Sequence, residues 1–314
     1  PAREGRIRIP ANLDAVTDIG PEAGGALSPA AVDRIWDAVR HWYLAGMQPS
    51  VQLWLRLGGT VVLNRAIGHA WGNGPQDPGD GERVPVTVGT PFCVYSAAKA
   101  ITTTVVHMLV ERGEISLEAR VCDYLPTYTG HGKERTTVRH VMTHSAGVPF
   151  ATGPRPDLKR MNDSDYAREK LGELKPVHRP GLMHIYHGLT WGPLIREIVS
   201  AATGRDIREI LATEILEPLG FRWTNYGVAP EDVRSVAPSY VTGKPLPAPI
   251  AAAMKTALGG SMQQIIPFTN TERFLTSVVP SSSTVSTADE LSRFAEILCR
   301  GGELDGVRIM RPET

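Results

Sequence analysis

Residues 95–113 read YSAAKAITTTVVHMLVERG and combine a long apolar segment with two potentially reactive side chains. The span 96–112 has few charges in its interior and is followed by Gly113, which predicts a helix buried nearly all round. Ser96 and Lys99 are at positions i and i+3, so their side chains share one helix face and can touch. The unpaired amides at the helix start favour a developing negative charge.

This serine–lysine pair has the elements of a nucleophile and its base. A serine hydroxyl is a weak nucleophile at neutral pH until a base takes its proton. A lysine in apolar surroundings holds its proton less tightly, and the residues after Lys99 are mostly apolar or uncharged. The spacing alone is weak evidence, because an N-cap serine followed by a solvent-directed lysine gives the same pattern. Further evidence for a catalytic role of this pair has to come from other motifs in the sequence.

Composition narrows the class of protein. Hydrophobic residues make up 42% and charged residues 21% of the 314 residues, as in a folded globular protein. The 33 basic and 33 acidic side chains argue against a nucleic-acid partner or a polybasic membrane-surface protein. No apolar run approaches the roughly 18 residues of a transmembrane segment. Three widely spaced cysteines predict reduced thiols and a cytoplasmic location, although the start at Pro1 leaves a removed leader open.

The first 90 residues predict a helix followed by antiparallel strands. Residues 1–26 lack periodicity and are expected to form an extended arm. A helix then begins with Ser28 as its N-cap and ends at Gly46. Alternation of apolar and polar residues over 51–57 predicts a half-buried strand. The pair Gly58-Gly59 then predicts a tight turn into a returning strand over 60–65.

The remainder of the chain predicts a block of helices and then a return to the sheet. Further helices are expected over residues 136–144, 191–204, 206–217 and 291–300. We therefore predict a mixed α/β protein. Residues 27–90 and 281–314 form a discontinuous sheet-bearing part, and residues 91–280 form a mainly helical part that carries the nucleophile.

Several further motifs follow the serine–lysine pair in a fixed order. They are Tyr124-Leu125-Pro126, the segment 137–147, Pro180-Gly181, Tyr186-His187-Gly188, Glu217-Pro218-Leu219-Gly220 and Ser286-Thr287-Ala288. Together they resemble the β-lactamase-related serine hydrolases over residues 28–314. Within that superfamily the chain resembles class C β-lactamases and, more closely, family VIII carboxylesterases. The resemblance implies a β-lactamase/penicillin-binding-protein-like fold, with an antiparallel sheet flanked by helices plus a helical block.

The resemblance also implies roles for individual residues. Ser96 matches the nucleophile that becomes acylated, and its backbone amide supplies half of the oxyanion hole. Lys99 matches its partner. Tyr186 matches the tyrosine that relays the serine proton and later activates water.

Three more residues are expected near the pocket: Tyr95, His187 and Gly188. Class C β-lactamases have asparagine where this chain has Gly188. The glycine lacks the side-chain amide that would hold a β-lactam, which favours an ester substrate. His187 is assigned no task beyond lining the pocket.

The third family motif, a strand with a sequence such as Lys-Thr-Gly, is not found. Lys255-Thr256-Ala257 lacks the glycine and precedes the Ser286 helix, whereas the family strand follows it. That strand normally donates the second oxyanion-hole amide. We expect the C-terminal strands and this donor to lie beyond Thr314, in a longer protein of which this chain is a fragment.

Zinc chemistry is the main alternative outside the family. His140 and His144 are at i and i+4, but Val141 occupies the position of the catalytic glutamate of a zincin. His184 and His187 have no cysteine or carboxylate at metal-ligand spacing. Dinucleotide and phosphate-binding glycine motifs are also missing from the sequence. We expect neither a metal nor a cofactor.

The sequence therefore predicts a serine hydrolase of small carboxylic esters that works through an acyl-serine intermediate. The alternatives within enzymes are a β-lactamase, a D-alanyl-D-alanine peptidase and an acyltransferase. A non-catalytic binding protein with the same fold is a further alternative, although it would not need Ser96, Lys99 and Tyr186 together. The sequence sets neither the acyl chain length nor the oligomeric state.

Overall fold

The structure is a computed structural model that describes residues 5–150, 157, 160 and 162–314. Residues 1–4 of the predicted arm therefore lie outside it. The same is true of residues 151–156, 158–159 and 161, within the predicted helical part.

The described residues contain α-helices and short and long strands in a mixed order. The helices are α1 (Pro29–Leu44), α2 (Ala98–Glu111), α3 (Val121–Tyr124), α4 (Val138–Met142), α5 (Ser164–Glu173), α6 (Trp191–Thr203), α7 (Ile207–Leu211), α8 (Ala248–Leu258), α9 (Met262–Thr269), α10 (Glu272–Leu275) and α11 (Ala288–Cys299). The strands are β1 (Thr17–Ile19), β2 (Ser50–Leu57), β3 (Thr60–Trp71), β4 (Val84–Pro85), β5 (Phe92–Cys93), β6 (Asn225–Tyr226), β7 (Thr284–Ser286), β8 (Glu303–Leu304) and β9 (Val307–Arg308).

The N-terminal sheet is antiparallel, with β3 between β1 and β2 and with β4 also paired to β3. The predicted hairpin is present, and Gly58 and Gly59 adopt φ angles of 56° and 82° in its turn. The returning strand runs to Trp71, six residues further than predicted, because its second half pairs with β1 and β4 as well. Helix α1 packs against β2 and β3 and forms a small apolar core with them.

Part of the predicted extended arm contributes a strand to this sheet, which the sequence did not predict. Residues 17–19 form β1, which pairs with residues 65–67 of β3. A strand of three residues is too short to show an alternating pattern in the sequence.

The main core surrounds α2, as its apolar sequence predicts. Buried side chains of α2 pack with those of α6 and α7 in one cluster. The segment does not start as a regular α-helix, however. Residues Tyr95–Ala97 form one 3₁₀ turn, and α2 begins at Ala98 rather than at Ser96.

One predicted helix differs from its expected form, and one region contains helices that were not predicted. The helix predicted over 206–217 consists of α7 and a following π-helical turn, Ala212–Leu216. The Pro-, Ser- and Gly-rich region before β7 holds α8 and α9. Helix α9 begins with a capping box between Ser261 and Gln264 and contains Pro267 in its interior.

Strand β7 and helix α11 connect the helical block to the N-terminal sheet. Strand β7 lies between β5 and β6 in a second antiparallel sheet. Helix α11 packs on β2, where the Arg56 guanidinium lies 2.9 Å from the Asp289 carboxylate. The mixed α/β fold with antiparallel sheets and helices is confirmed, whereas the division into the predicted domains stays a prediction. Within the described residues, no helix combines the length and apolar character needed to cross a bilayer.

Candidate active site

The turn that carries Ser96 is fixed on both sides. It follows β5, which pairs with β7, and the Val94 amide extends that pairing to the Thr284 carbonyl at 2.8 Å. Tyr95 has a φ angle of 47°, an uncommon conformation for a residue with a side chain. Its phenol oxygen lies 2.7 Å from Ser239 Oγ and 2.9 Å from Thr269 Oγ1. These two hydrogen bonds hold the turn in its unusual conformation.

Ser96, Lys99 and Tyr186 meet at this turn, although 90 residues separate Ser96 from Tyr186. The Tyr186 hydroxyl lies 2.6 Å from Ser96 Oγ, and Lys99 Nζ lies 3.3 Å from the same oxygen. Ser96 is exposed, and Tyr186 is 50% exposed. The serine oxygen thus belongs to an exposed residue and accepts hydrogen bonds from the Tyr186 hydroxyl and the Lys99 ammonium.

The surroundings of Lys99 lower its affinity for a proton. Burial lowers the pKa of Lys99 below 10.5, and the adjacent Tyr186 only partly opposes the effect. Its Nζ lies 4.8 Å from the centre of the Tyr186 ring and 5.7 Å from that of Trp191. Lys99 also lines an open cavity of about 390 Å³ together with Thr103 and Trp191.

A backbone carbonyl fixes the direction of the lysine. Lys99 Nζ donates to the Ser281 carbonyl oxygen at 3.1 Å. The preceding carbonyl, of Pro280, accepts from Thr102 Oγ1 at 2.7 Å. On the other side, a β-carbon at Gly192 would lie only 2.4 Å from Ser281 Oγ, so α6 approaches this loop as closely as a glycine allows.

His144 packs against the tyrosine and carries no charge at neutral pH. Its ring centre lies 4.9 Å from that of Tyr186. The pKa of His144 is lowered to about 4, mainly by burial and to a smaller extent by the nearby His187 and Lys99. Its Nδ1 accepts a hydrogen bond from the His187 amide at 3.1 Å, which leaves Nδ1 unprotonated. The site thus avoids a second positive charge beside Lys99.

The three residues expected near the pocket have different positions. Tyr95 anchors the nucleophile turn, as described above, and Gly188 is partly exposed next to the Tyr186 ring. His187 does not line the pocket as expected, because its side chain is fully buried. Its Nε2 accepts from the Val148 amide at 3.2 Å, and its Nδ1 contacts the Ile185 carbonyl. The buried His187 side chain therefore stabilises the loop that carries Tyr186 by linking it to Val148.

The other histidines considered as zinc ligands have backbone partners. His140 Nδ1 accepts from the Thr137 amide at 3.1 Å and completes the capping box of α4. His184 Nδ1 lies 2.8 Å from the Thr143 carbonyl oxygen. Over the part of the chain that the structure describes, no three His, Cys, Asp or Glu side chains form a group suited to a metal ion.

Among the described residues we identify one candidate hydrogen-bond donor for the oxyanion hole, the backbone amide of Ser96. The Ser96 amide is in the first turn of a helical segment, where amides lack intrahelical acceptors. Lys255-Thr256-Ala257 lies on α8 and not on a strand, so it does not provide the third family motif. The second donor stays a prediction.

Sequence reasoning missed two groups that contact Lys99. The Ser281 carbonyl is a backbone atom and has no signature in the sequence. Trp191 was assigned only to the start of a helix, although its indole packs beside the ammonium. A tryptophan close after the Tyr186 motif was the only available signal, and it was not distinctive.

This fold, with a serine, a lysine and a tyrosine meeting at the start of a buried helix, is that of the β-lactamases and penicillin-binding proteins. Residues 39–313 match the Beta-lactamase family, and the chain belongs to that family. The resemblance predicted from the sequence motifs is thereby confirmed. The protein is a β-lactamase-fold hydrolase.

Several known proteins are similar to this chain. The Esterase/beta-lactamase LipL of Mycobacterium tuberculosis is 31% identical over 313 residues, which cover 94% of this chain and 69% of LipL. A penicillin-binding protein homologue from Caulobacter crescentus has a TM-score of 0.74 at 23% identity, and a family VIII carboxylesterase has a TM-score of 0.74 at 24% identity. Each alignment covers 92% of this chain and 75% of the other. At this identity the two structures support the fold.

Proposed function

We propose that the protein hydrolyses carboxylic esters through an acyl intermediate on Ser96. The observation that carries this proposal is the contact of Ser96 Oγ with Tyr186 at 2.6 Å and with Lys99 at 3.3 Å. A structural serine has no need of an exposed position beside a lysine of lowered pKa.

The first half-reaction forms the acyl-enzyme. Ser96 Oγ attacks the ester carbonyl carbon while its proton passes to Tyr186 and Lys99, which act together as the base. The carbonyl oxygen becomes an oxyanion, which the Ser96 amide stabilises from one side. The tetrahedral intermediate then collapses, the carbon–oxygen bond to the alcohol breaks, and the alcohol leaves with the proton returned by the same pair.

The second half-reaction releases the acid. A water molecule takes the place of the alcohol, and its oxygen forms a bond to the acyl carbon while Tyr186 with Lys99 takes a proton from it. The acyl carbon–Ser96 oxygen bond breaks, and Ser96 regains its proton. The uncharged state of His144 at neutral pH supports this step, because a cation there would oppose the return of charge to Lys99.

Two observations favour an ester over a β-lactam as the substrate. Gly188 replaces the asparagine of class C β-lactamases, so the chain lacks that side-chain amide. The similar LipL is named as an esterase as well as a β-lactamase, and another similar structure is a carboxylesterase. The substrate we propose is a small-molecule ester.

The experiment compares hydrolysis of a soluble short-chain chromogenic ester with that of a chromogenic cephalosporin. We expect kcat/KM to be higher for the ester, and Ser96→Ala to reduce it by about 10⁴-fold or more. Ser200→Ala, the same change on α6, serves as the matched control and should retain activity.

Three results would contradict the proposal. A higher kcat/KM for the cephalosporin would make the protein a β-lactamase. Ester hydrolysis that persists in Ser96→Ala would remove the acyl-serine mechanism. Absence of turnover with both substrates, in a protein that folds normally, would favour a binding protein.

A further inference from the structure

Helix α8 exposes an apolar stripe to solvent. Ile250, Met254 and Leu258 are spaced four residues apart, so they lie along one helix face. Ile250 is 51% and Met254 37% exposed, and no residue of α8 is buried. Leu246, which precedes the first residue of α8, is also exposed. A row of large apolar side chains on a helix surface indicates contact with a partner.

This helix lies at the rim of the candidate active site. A β-carbon at Gly188 would be 3.5 Å from the Ala257 carbonyl oxygen at the end of α8, and equally far from the Tyr186 ring. The next helix, α9, ends at Thr269, whose hydroxyl contacts Tyr95. Helices α8 and α9 therefore connect the Tyr186 side of the site with the Tyr95 side.

Exposed apolar side chains continue on the loop that carries Tyr186. Leu182, Met183 and Leu189 on that loop are all exposed. Leu189 approaches the end of α8, since a β-carbon at Gly259 would lie 3.1 Å from its Cδ1. The apolar surface thus extends from α8 to the residues around the reactive hydroxyl groups.

The charged side chains of the segment that contains α8 have one sign. Lys244 precedes the helix and Lys255 lies on it, and both are exposed. Residues 233–271 contain no aspartate or glutamate. An exposed apolar stripe on a segment whose charges are all basic complements a surface that is apolar inside and negatively charged outside, which is the arrangement of an anionic lipid layer.

We propose that the α8 surface, defined as Lys244, Leu246, Ile250, Met254, Lys255 and Leu258, docks on an anionic lipid layer. The substrate is then an ester with a long acyl chain, drawn from that layer into the adjacent site. The choice of substrate rests on the proposed function, whereas the docking itself does not. In the docked state the apolar stripe enters the boundary between head groups and acyl chains, and the lysines face the lipid phosphates.

Binding is measured by sedimentation with vesicles of phosphatidylcholine and phosphatidylglycerol in equal parts. We expect the partition coefficient to fall at least tenfold in the double variant Ile250→Glu, Met254→Glu, and severalfold in 0.5 M salt. Ile19→Glu, which puts one such charge at an exposed apolar position on β1, is the control and should bind like the unmodified protein. Ser96→Ala should also bind, whatever its activity.

The effect on catalysis is measured as a ratio. The rate on a long-chain ester embedded in the same vesicles is divided by the rate on the soluble short-chain ester, and the double variant should lower this ratio at least tenfold. If the double variant does not fold, the unmodified protein alone tests the proposal, because it should bind vesicles of pure phosphatidylcholine several times more weakly than the mixed vesicles.

Other outcomes would overturn the inference. Lack of sedimentation with the mixed vesicles would do so, as would equal binding of the folded double variant. A dimer that dissociates in the double variant, without vesicle binding, would assign the surface to a second copy of the chain. Loss of the proposed esterase function would show separately, as short-chain hydrolysis that is absent or independent of Ser96.

Discussion

The ammonium of Lys99 shows how one residue acquires a catalytic property from its neighbours. Burial lowers its pKa, while the Ser281 carbonyl and the Tyr186 ring hold it beside Ser96. A lysine that must accept a proton has to spend part of its time uncharged, and burial increases that fraction near neutral pH.

The pH dependence of ester hydrolysis tests this property. Because the base acts in its uncharged form, kcat/KM should rise with pH and reach a plateau above an apparent pKa. That apparent pKa should lie below the 10.5 of an ordinary lysine. Lys99→Arg should lower kcat/KM by about 10²–10⁴-fold, since a guanidinium does not give up its proton in this range.

The control is an arginine substitution at Lys170, a surface lysine paired with Glu173, which should leave the profile unchanged. A profile that is flat from pH 6 to 10, or an active Lys99→Arg variant, would contradict the role assigned to Lys99.

The three reactive side chains were predictable from the sequence, but the backbone carbonyl and the tryptophan that contact Lys99 were not. The spacing of Ser96 and Lys99 and the ordered motif at Tyr186 led to the three side chains that the structure brings together. The Ser281 carbonyl escaped because any residue type offers that atom. His187 was placed in the pocket because sequence order does not reveal which side of a loop faces the core.

At the scale of elements, the contact between α6 and the loop before β7 positions the site. Gly192 on α6 lies against Ser281, whose carbonyl accepts from Lys99. The same loop is held from α2 through Thr102 and the Pro280 carbonyl. Two helices thus fix one short segment, and that segment fixes the lysine.

Gly192→Ala should disturb this contact. The new methyl group would lie 2.4 Å from Ser281 Oγ and 2.9 Å from the Ser281 amide nitrogen, so one of the elements must shift. We expect the free energy of unfolding, measured by urea denaturation, to fall by about 1–3 kcal/mol despite the better helix propensity of alanine. The kcat/KM for the ester should fall as well.

Gly24→Ala is the matched control, because nothing lies within 4 Å of the added β-carbon. It should change stability by at most about 1 kcal/mol. If Gly192→Ala is equally harmless, the close approach of α6 to Ser281 does not position the site.

Elements with strong periodicity were predictable, and short or irregular ones were not. The alternation over 51–57 and the apolar span after Ser96 led to β2 and α2. Helix α8 was not predicted as an element of its own because Pro245, Pro247 and Pro249 around its start are typical of an irregular segment. Strand β1 was not predictable because it is defined by its pairing with β3, a contact between residues distant in the sequence.

At the level of the whole molecule, the two largest apolar cores of the described residues are joined through the segment that follows the active-site loop. One core surrounds α2, and the other lies between α1 and the N-terminal sheet. After Ser281, the chain forms β7 beside the nucleophile turn and then α11 against β2. The return of the chain to its first sheet was predictable from the family resemblance. The ordered motifs are similar to those of a fold in which the segment after the helical block packs on the N-terminal sheet.

Trapping of the intermediate tests the central claim that the reaction passes through an acyl group on Ser96. The protein is mixed with a soluble chromogenic acetate ester, quenched with acid within the first turnovers, digested and analysed by mass spectrometry. We expect an acetyl group, about 42 Da, on the peptide that contains Ser96, and none in Ser96→Ala. Ester turnover with no acyl adduct at any quench time, or with the adduct on another residue, would show that the reaction does not pass through acylated Ser96.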